Sequence, residues 1–246
     1  MKYLYQLGQY VLLMLQSLKK PEKQKVFWNR VLIEIEKLGV QSLFIVLIIS
    51  LFVGAVLALQ AAFNMDSPWI PGYAVGLTTR QAIILEFSPT IISVILAGKV
   101  GSSIASEIGS MRISEQIDAM EIMGVNPANF LIGPKMIAAV FINPFLIILS
   151  MAVSIFGGWI GILFSDSLTG DMYVLGIKSY FYLYDVFYAL FKTAIFAFII
   201  TSVSAYHGYY VNGGSIEVGR SSTRAVVSSS ILIIFADLIL TQIMLT

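Results

Sequence analysis

The pattern of apolar and polar positions divides the chain into five long hydrophobic stretches separated by short polar segments. The stretches cover residues 40–63, 81–105, 134–164, 186–210 and 225–245. A helix rises about 1.5 Å per residue, so roughly 20 apolar residues cross a hydrocarbon core about 30 Å thick. The pattern therefore predicts an all-α membrane protein with five transmembrane helices.

The N-terminal segment has a different pattern, with polar residues at helical spacing on an otherwise apolar sequence. These residues are Lys2, Gln6, Gln9, Gln16 and Lys20, with Leu13 as the one interruption. One polar stripe of this kind is typical of a helix that lies in the membrane interface. The run "KKPEKQK" follows where a cleaved signal peptide needs small residues, which leaves a sixth span as the alternative. We divide the chain into interfacial and connecting helices over residues 1–38 and a transmembrane domain over residues 39–246.

Composition agrees with this class and excludes several kinds of chemistry. The chain is 58% hydrophobic and 12% charged, whereas soluble domains are about 25% charged. It has no cysteine and a single histidine, His207, so we expect no metal site. The run "AGKVGSS" lacks a Walker A motif because Val100 follows the Gly-Lys pair. We therefore expect a membrane subunit that is not an enzyme and that holds no cofactor.

Basic residues predict the orientation of the chain in the membrane. They cluster before the first span, around the segment between the second and third spans, and between the fourth and fifth spans. The opposite loops contain one lysine, Lys178, and the acidic residues Asp66, Asp166, Asp171 and Asp185. By the positive-inside rule, the N-terminus is cytoplasmic and the C-terminal Thr246 is on the outer side.

A charged segment, "SEIGSMRISEQIDAMEIMG" over Ser106 to Gly124, lies between the second and third spans. It is too polar to enter lipid and predicts a helix along the cytoplasmic membrane surface. The helix either rests on the headgroups as a solvated element or contacts a protein partner. An anionic lipid surface would repel its four carboxylates, which favours a basic partner.

Charged residues inside the predicted spans are candidates for function, because a carboxylate or ammonium in lipid costs roughly 2.5 to 3.5 kcal/mol. Three alternatives remain open for Glu86. It faces a wet cavity, which we favour, it pairs with a residue on another helix, or it is neutral. Arg80 lies six residues earlier on another face and is a poor partner for Glu86. For Asp237 we favour a salt bridge, with Lys99, Lys192 or Arg224 as the cation. Lys192 could instead extend its side chain towards the membrane surface.

Small residues in the third span form the run "GGWIG" over Gly157 to Gly161. Glycines at this spacing allow two helix backbones to approach closely. The contact could be within the chain or between two copies of it.

The run "AGKVGSSIASEIGSMRISEQIDAMEIMGVNPANFLIGPK" over residues 97–135 resembles the most characteristic segment of the MlaE family, the permease subunits of Mce-type lipid-transporting ABC systems. Further matches are "GAVLALQ" over residues 54–60, Glu86 followed by Pro89, and Asp237. The resemblance extends from about residue 25 onward. It departs at "LEFSP", where many members carry Arg-Glu-Leu-Gly-Pro, so the basic neighbour of Glu86 and the hinge glycine are absent.

The resemblance implies a homodimer in the inner membrane of a bacterium, each copy having an interfacial helix and five transmembrane helices. A cytoplasmic coupling helix between the second and third spans would dock into a dimeric ABC ATPase, which binds ATP and magnesium and carries a small accessory subunit. A hexameric ring of Mce-domain proteins would contact the outer side. Phospholipid would pass through a cavity shared by the two copies, and no nucleic acid is involved.

The resemblance also implies roles for individual residues. The coupling helix would present Glu107, Arg112, Glu115, Asp118 and Glu121 to the ATPase. The lipid cavity would be lined by Leu57, Met65, Glu86 and Phe87. One alternative is an ion-coupled secondary transporter that uses Glu86, Asp237 and Lys192, although the sequence has no convincing inverted repeat. A scaffold without a transport path is a third hypothesis.

Overall fold

The computed structural model describes residues 2–21, 23–65, 69–165 and 168–245, and every regular element within them is helical. Five of its helical segments are long and apolar enough to cross a membrane: Gln24–Asn64, Tyr73–Ile113, Ala128–Leu163, Leu183–Tyr209 and Ser215–Met244. The prediction of five membrane-spanning helices is therefore confirmed. Asp66, Asp166 and Thr246, on which the predicted orientation partly depends, lie outside the described residues.

Eleven α-helices and several π-helical turns follow one another along the described chain. The first helices are α1 (Lys2–Ser17), α2 (Gln24–Ile35), α3 (Gln41–Asn64), α4 (Tyr73–Ala82), α5 (Ile92–Leu96) and α6 (Ser102–Ile113). The remaining ones are α7 (Gln116–Ile122), α8 (Gly133–Leu163), α9 (Gly170–Lys178), α10 (Leu183–Tyr209) and α11 (Ser215–Leu245). The π-helical turns occupy Glu36–Val40, Ile83–Ile91, Ala97–Gly101 and Ala128–Ile132.

All five spanning segments begin earlier than the apolar pattern predicts. The second begins at Tyr73 rather than residue 81, and the fifth begins at Ser215 rather than residue 225. The apolar pattern marks only the part of each helix whose side chains would contact lipid. The helical backbone hydrogen bonds can continue beyond that part into polar sequence. Polar residues such as Arg220 and Arg224 therefore lie on α11 rather than in a loop.

The chain divides into two compact units, and the first comprises Met1–Ser42, Val94–Asn143 and Ala194–Ile243. In this unit α1 is attached to its neighbours by specific polar contacts. The Tyr10 hydroxyl donates to Ser202 Oγ at 2.8 Å. The Asn129 amide donates to the carbonyl oxygens of Ser17 at 2.9 Å and Lys19 at 2.5 Å. These bonds hold the end of α1 against the π-helical turn that precedes α8.

α1 buries one side and exposes an apolar stripe on the other. Leu13 and Met14 are buried. The exposed stripe is 44% to 76% accessible and consists of Leu4, Leu7, Val11, Leu15 and Leu18. The spacing of three and four residues places these side chains on one helix face.

The second unit comprises Leu43–Ser93, Pro144–Thr193 and Met244–Thr246, and close contact of α3 with α8 is its main feature. A Cβ atom on Gly54 would overlap the Ser154 carbonyl, and one on Gly157 would overlap the Leu51 carbonyl. Because two helix backbones touch at these positions, only glycine fits there. The "GGWIG" run thus packs two helices of the same chain.

A second glycine contact in this unit joins α4 to α9, a helix that the apolar pattern missed. A Cβ atom on Gly76 would overlap the Tyr173 carbonyl, and one on Gly176 would overlap the Tyr73 carbonyl. The Tyr173 side chain is fully buried beside Ala58 and Ile162, and its burial raises the pKa of its hydroxyl group. That hydroxyl donates to the Ile155 carbonyl at 3.4 Å.

Candidate functional site

Glu86 lies on the π-helical turn Ile83–Ile91, which also contains Pro89. Proline has no backbone N–H, so the α-helical hydrogen bond to residue 85 is absent at this point. π-Helical turns inside α-helices are frequent at functional sites. The turn thus places a carboxylate where the helix is already irregular.

Lys192 on α10 is the partner of Glu86. Its Nζ atom lies 3.1 Å from Glu86 Oε2 and donates to the Leu85 carbonyl at 3.2 Å. The Lys192 side chain is fully buried, whereas 42% of the Glu86 side chain is exposed. Of the alternatives for Glu86, pairing with another helix is observed, and its exposure leaves room for the favoured cavity. The expectation that Lys192 extends towards the membrane surface is wrong, because the carboxylate and the carbonyl hold it inside.

Arg80 does not pair with Glu86, as the sequence predicts, and the structure gives it a role that was not predicted. Its guanidinium donates to the carbonyl oxygens of Ile177 and Ser179, each at 2.6 Å, and of Tyr180 at 2.9 Å. The last carbonyls of a helix have no partner within it. Arg80 provides that partner for α9 and is only 2% exposed as a result.

The other predicted cavity residues are half-buried, and each has its own surroundings. Met65 packs against the cluster that contains Ala58 and Tyr173. Phe87 lines a small space with Ser88 and Ser150, whose hydroxyls are 3.3 Å apart. Leu57 is half-buried on α3. Their arrangement around one lipid cavity remains a prediction.

Asp237 lies half-buried on α11, among apolar neighbours in sequence. Its predicted role as one half of a salt bridge remains a prediction. No group of three or more histidine, cysteine or acidic side chains that could hold a metal ion occurs among the described residues.

The charged segment predicted as one helix is two helices with a sharp break. α6 continues from the second span to Ile113, and α7 begins at Gln116. Between them Glu115 has a left-handed backbone with φ of 59°, a conformation that costs a non-glycine residue about 1–2 kcal/mol. An ion pair of 2.6 Å between Arg112 Nη1 and Asp118 Oδ1 spans the break.

Glu107 belongs to an ion cluster that sequence analysis missed. Its carboxylate lies 2.5 Å from Lys37 Nζ and 3.0 Å from Lys135 Nζ, and Lys135 also lies 2.6 Å from Glu34 Oε1. Lys135 is 3% exposed, and these carboxylates compensate for the cost of burying its ammonium group. Glu34 and Lys37 are three residues apart, a weak signal of a shared helix face. No pattern points to Lys135, which is 28 residues from Glu107 in sequence.

α7 has one apolar side turned inward and another turned outward. Ile117 and Met120 are buried, whereas Ile122 is 88% exposed and the adjacent Met123 is 70% exposed. Glu121 accepts a hydrogen bond of 3.1 Å from the Tyr209 hydroxyl, which attaches α7 to the end of α10. The segment is therefore held in place and still presents an apolar tip.

Comparisons with known proteins identify the class of this chain. Residues 31–243 match the family model described as Permease MlaE. The chain is 30% identical over 243 residues to a probable ABC transporter permease protein of Rickettsia typhi, covering 99% of this chain and 93% of that protein. It is 31% identical over 226 residues to the intermembrane phospholipid transport system permease protein MlaE of Haemophilus influenzae, covering 92% of this chain and 86% of that protein.

A plant relative extends the same comparison. The chain is 32% identical over 223 residues to the chloroplastic protein TRIGALACTOSYLDIACYLGLYCEROL 1 of Arabidopsis thaliana, covering 89% of this chain and 63% of that protein. The family model spans the five long apolar helices, the paired Glu86 and Lys192, and the segment from α6 to α7. This chain is a multi-pass membrane protein that belongs to the MlaE permease family.

Proposed function

We propose that this chain is the permease subunit of an Mce-type ABC transporter that moves phospholipid between the inner membrane of a bacterium and a periplasmic Mce-domain partner. A separate ATPase would supply the energy. The observation that supports this most is the ion pair of Glu86 and Lys192, in which a buried cation holds a partly exposed carboxylate inside a spanning segment.

The pair suits a path for a molecule with a polar headgroup and apolar chains. An exposed carboxylate within the membrane usually faces a cavity or a water-filled space. Leu57, Met65 and Phe87 would contact the acyl chains, whereas Glu86 would lie near the headgroup.

Coupling to the ATPase would use α7 and the break before it. Glu115 and the tip formed by Ile122 and Met123 are exposed and would contact the ATPase directly. Arg112, Asp118 and Glu121 would keep the tip in position through the ion pair across the break and the bond to Tyr209. Glu107 would anchor α6 through Lys37 and Lys135.

A second copy of this chain would cover part of α11. Only 11% of the most apolar window of α11 is buried, compared with 44% to 56% for the second to fourth spans. The large apolar side chains exposed on it include Ile231, Ile234, Phe235 and Leu238. The complete assembly would contain the dimeric ATPase with ATP and magnesium, a small accessory subunit and a hexameric Mce-domain ring.

The exposed stripe of α1 supports a helix lying in the cytoplasmic membrane interface. Its apolar residues would contact acyl chains, and the lysines that follow would lie at the level of the headgroups. The N-terminus would then be cytoplasmic and the C-terminus periplasmic.

Reconstitution with an ATPase tests this function. The permease, its ATPase and the Mce-domain partner are placed in proteoliposomes that contain a labelled phospholipid, and transfer of the label to the partner is followed. We expect transfer with ATP and no transfer with a non-hydrolysable analogue. Transfer without the ATPase under a proton gradient would support a secondary transporter instead, and an assembled complex that moves no lipid would support a scaffold.

A further inference from the structure

A cavity on the first unit lies between the segment that joins α1 to α2 and the segment that precedes α8. Its volume is about 450 Å³, within the range of roughly 300–1,000 Å³ typical of ligand sites. No residue of the Glu86 turn, which belongs to the second unit, lines it. The proposed transport path does not account for it.

The rim of the cavity is strongly basic. Lys19, Lys20, Lys23 and Arg30 line it, and within the described part of the chain no acidic side chain does. The three lysines are exposed, and Arg30 is half-buried. Four cations around one opening create a positive potential that attracts an anion.

The floor of the cavity is apolar. The name floor refers here to the apolar side chains that line the cavity, namely Val26, which is 42% exposed, Phe27, Val125 and Phe130. The Arg30 guanidinium lies 3.6 Å from the centre of the Phe130 ring, which fixes the direction of this cation. A basic rim above an apolar floor matches a molecule that has an anionic head and a hydrocarbon chain.

The walls of the cavity are held in place by hydrogen bonds. The Asn129 amide bonds to the Ser17 and Lys19 carbonyls, and the Asn126 amide donates to the Gln16 carbonyl at 3.4 Å. The end of α1 is therefore tied to the opposite wall, and the opening has a defined shape.

The position of the cavity along the chain identifies the source of the ligand. It begins directly after the exposed apolar stripe of α1, whose last member is Leu18. A helix with such a stripe lies among acyl chains, and lysines next to it lie at the phosphate level. Basic pockets at the cytoplasmic membrane surface bind anionic lipid headgroups.

We propose that this cavity binds one anionic phospholipid of the cytoplasmic leaflet. The phosphate group and the anionic headgroup contact Lys20, Lys23 and Arg30, and one acyl chain lies on Phe27 and Phe130. The lipid fills the gap between the segment that joins α1 to α2 and the segment before α8, so it acts as a structural ligand and is not the transported cargo.

Native mass spectrometry of the full chain in a neutral detergent tests the proposal. The protein is titrated with phosphatidylglycerol and with phosphatidylcholine that has the same acyl chains. Each lysine near an anionic lipid contributes roughly a fivefold gain in binding, so we expect phosphatidylglycerol to bind at least about tenfold more tightly. Equal affinities for the two lipids would overturn the proposal.

Matched charge variants assign the effect to this cavity. The double variant Lys20→Gln, Lys23→Gln removes two rim cations, and the control Lys25→Gln, Lys178→Gln removes the same charge from lysines outside the cavity. We expect the first to lose the preference for phosphatidylglycerol and the second to keep it. Equal losses in both would show a general charge effect and contradict a specific site.

A steric variant and a competitor separate a lipid from free phosphate. Val26→Trp fills the apolar floor and leaves every charge in place, so it should weaken phosphatidylglycerol binding about as much as the rim variant does. Millimolar inorganic phosphate should displace little of the bound lipid. If phosphate alone removed the lipid and Val26→Trp bound it normally, the site would be a phosphate site and the proposal would be wrong.

Discussion

Lys192 is fully buried, and its ammonium group lies 3.1 Å from the carboxylate of Glu86, which keeps 42% of its side chain exposed. The two residues of this pair therefore depend on each other unequally. Glu86 has an exposed surface apart from its contact with Lys192, whereas the buried Lys192 ammonium would lose its carboxylate partner if Glu86 were removed.

We predict that Glu86→Leu lowers stability and that Glu86→Leu with Lys192→Met restores it. Removing one partner leaves a buried charge and costs about 3–5 kcal/mol, whereas replacing both with apolar residues is often neutral. Thermal unfolding of the purified variants in detergent measures the difference.

The same variants separate stability from transport. Glu86→Gln keeps an acceptor oxygen beside Lys192 but removes its counter-charge, so it should unfold between the wild type and Glu86→Leu, and both it and the double variant should lose most lipid transfer. A folded double variant with normal ATP-driven transfer would remove this pair from the transport path.

Charge reversal on the segment around α7 should release the ATPase. Glu115→Lys with Asp118→Lys changes the exposed side of the break and also breaks the contact with Arg112. We expect co-purification with the ATPase to fall at least about tenfold, as a loss of about 1.4 kcal/mol would produce. The amount of ATPase retained on the tagged permease is the measurement.

The control for this experiment reverses two other carboxylates. Glu36→Lys with Glu217→Lys makes the same change in net charge on the predicted cytoplasmic side and changes no residue of α7 or of the break before it. This variant should retain the ATPase. Equal release by both variants would argue against docking at α7.

Within the ion cluster of Glu34, Lys37, Glu107 and Lys135, the buried Lys135 should contribute more to stability than the partly exposed Lys37. Lys135→Met leaves Glu34 and Glu107 close together without their buried cation, and we expect a loss of about 3–5 kcal/mol. Lys37→Met removes a cation that is 37% exposed, and its loss should stay below about 1 kcal/mol. Equal changes in unfolding temperature would show that burial of Lys135 is unimportant.

Glycine contacts between α3 and α8 give a stability prediction with a matched control. Gly54→Ala would place a methyl group onto the Ser154 carbonyl and should prevent normal packing. A methyl group on Gly219 of α11 would meet no atom within 4 Å among the described residues. Gly219→Ala should therefore be neutral or stabilise the helix by up to about 1 kcal/mol.

Monodisperse elution after detergent extraction distinguishes the two glycine variants. We expect Gly54→Ala to aggregate or unfold at a lower temperature, and Gly219→Ala to behave as the wild type. If Gly54→Ala were as stable as Gly219→Ala, that result would contradict the backbone contact between α3 and α8.

The number of spanning helices could be predicted because lipid imposes a long apolar run on each one. The early starts at Tyr73 and Ser215 could not, since they lie in polar sequence and depend on contacts made elsewhere. α9 was missed for the same reason. It is a short helix, and its end is completed by Arg80, which is 97 residues from Ile177.

The sequence indicates which residues belong to the candidate site, but it does not indicate which of them pair with each other. A carboxylate and a lysine in apolar runs are visible because each is costly there. Their pairing depends on which faces of α10 and the Ile83–Ile91 turn meet, and periodicity does not determine that. The break at Glu115 was also hidden, because a left-handed glutamate is uncommon and no glycine marks the position.

The backbone contact at Gly54 and Gly157 has a consequence for how the transporter can move. Two helices that touch without intervening side chains cannot slide past each other unless the carbonyls of Ser154 and Leu51 clear the opposing chain. We therefore expect α3 and α8 to move together as one rigid pair. In the proposed lipid transport, an opening for the lipid would then come from displacement of other helices around this pair.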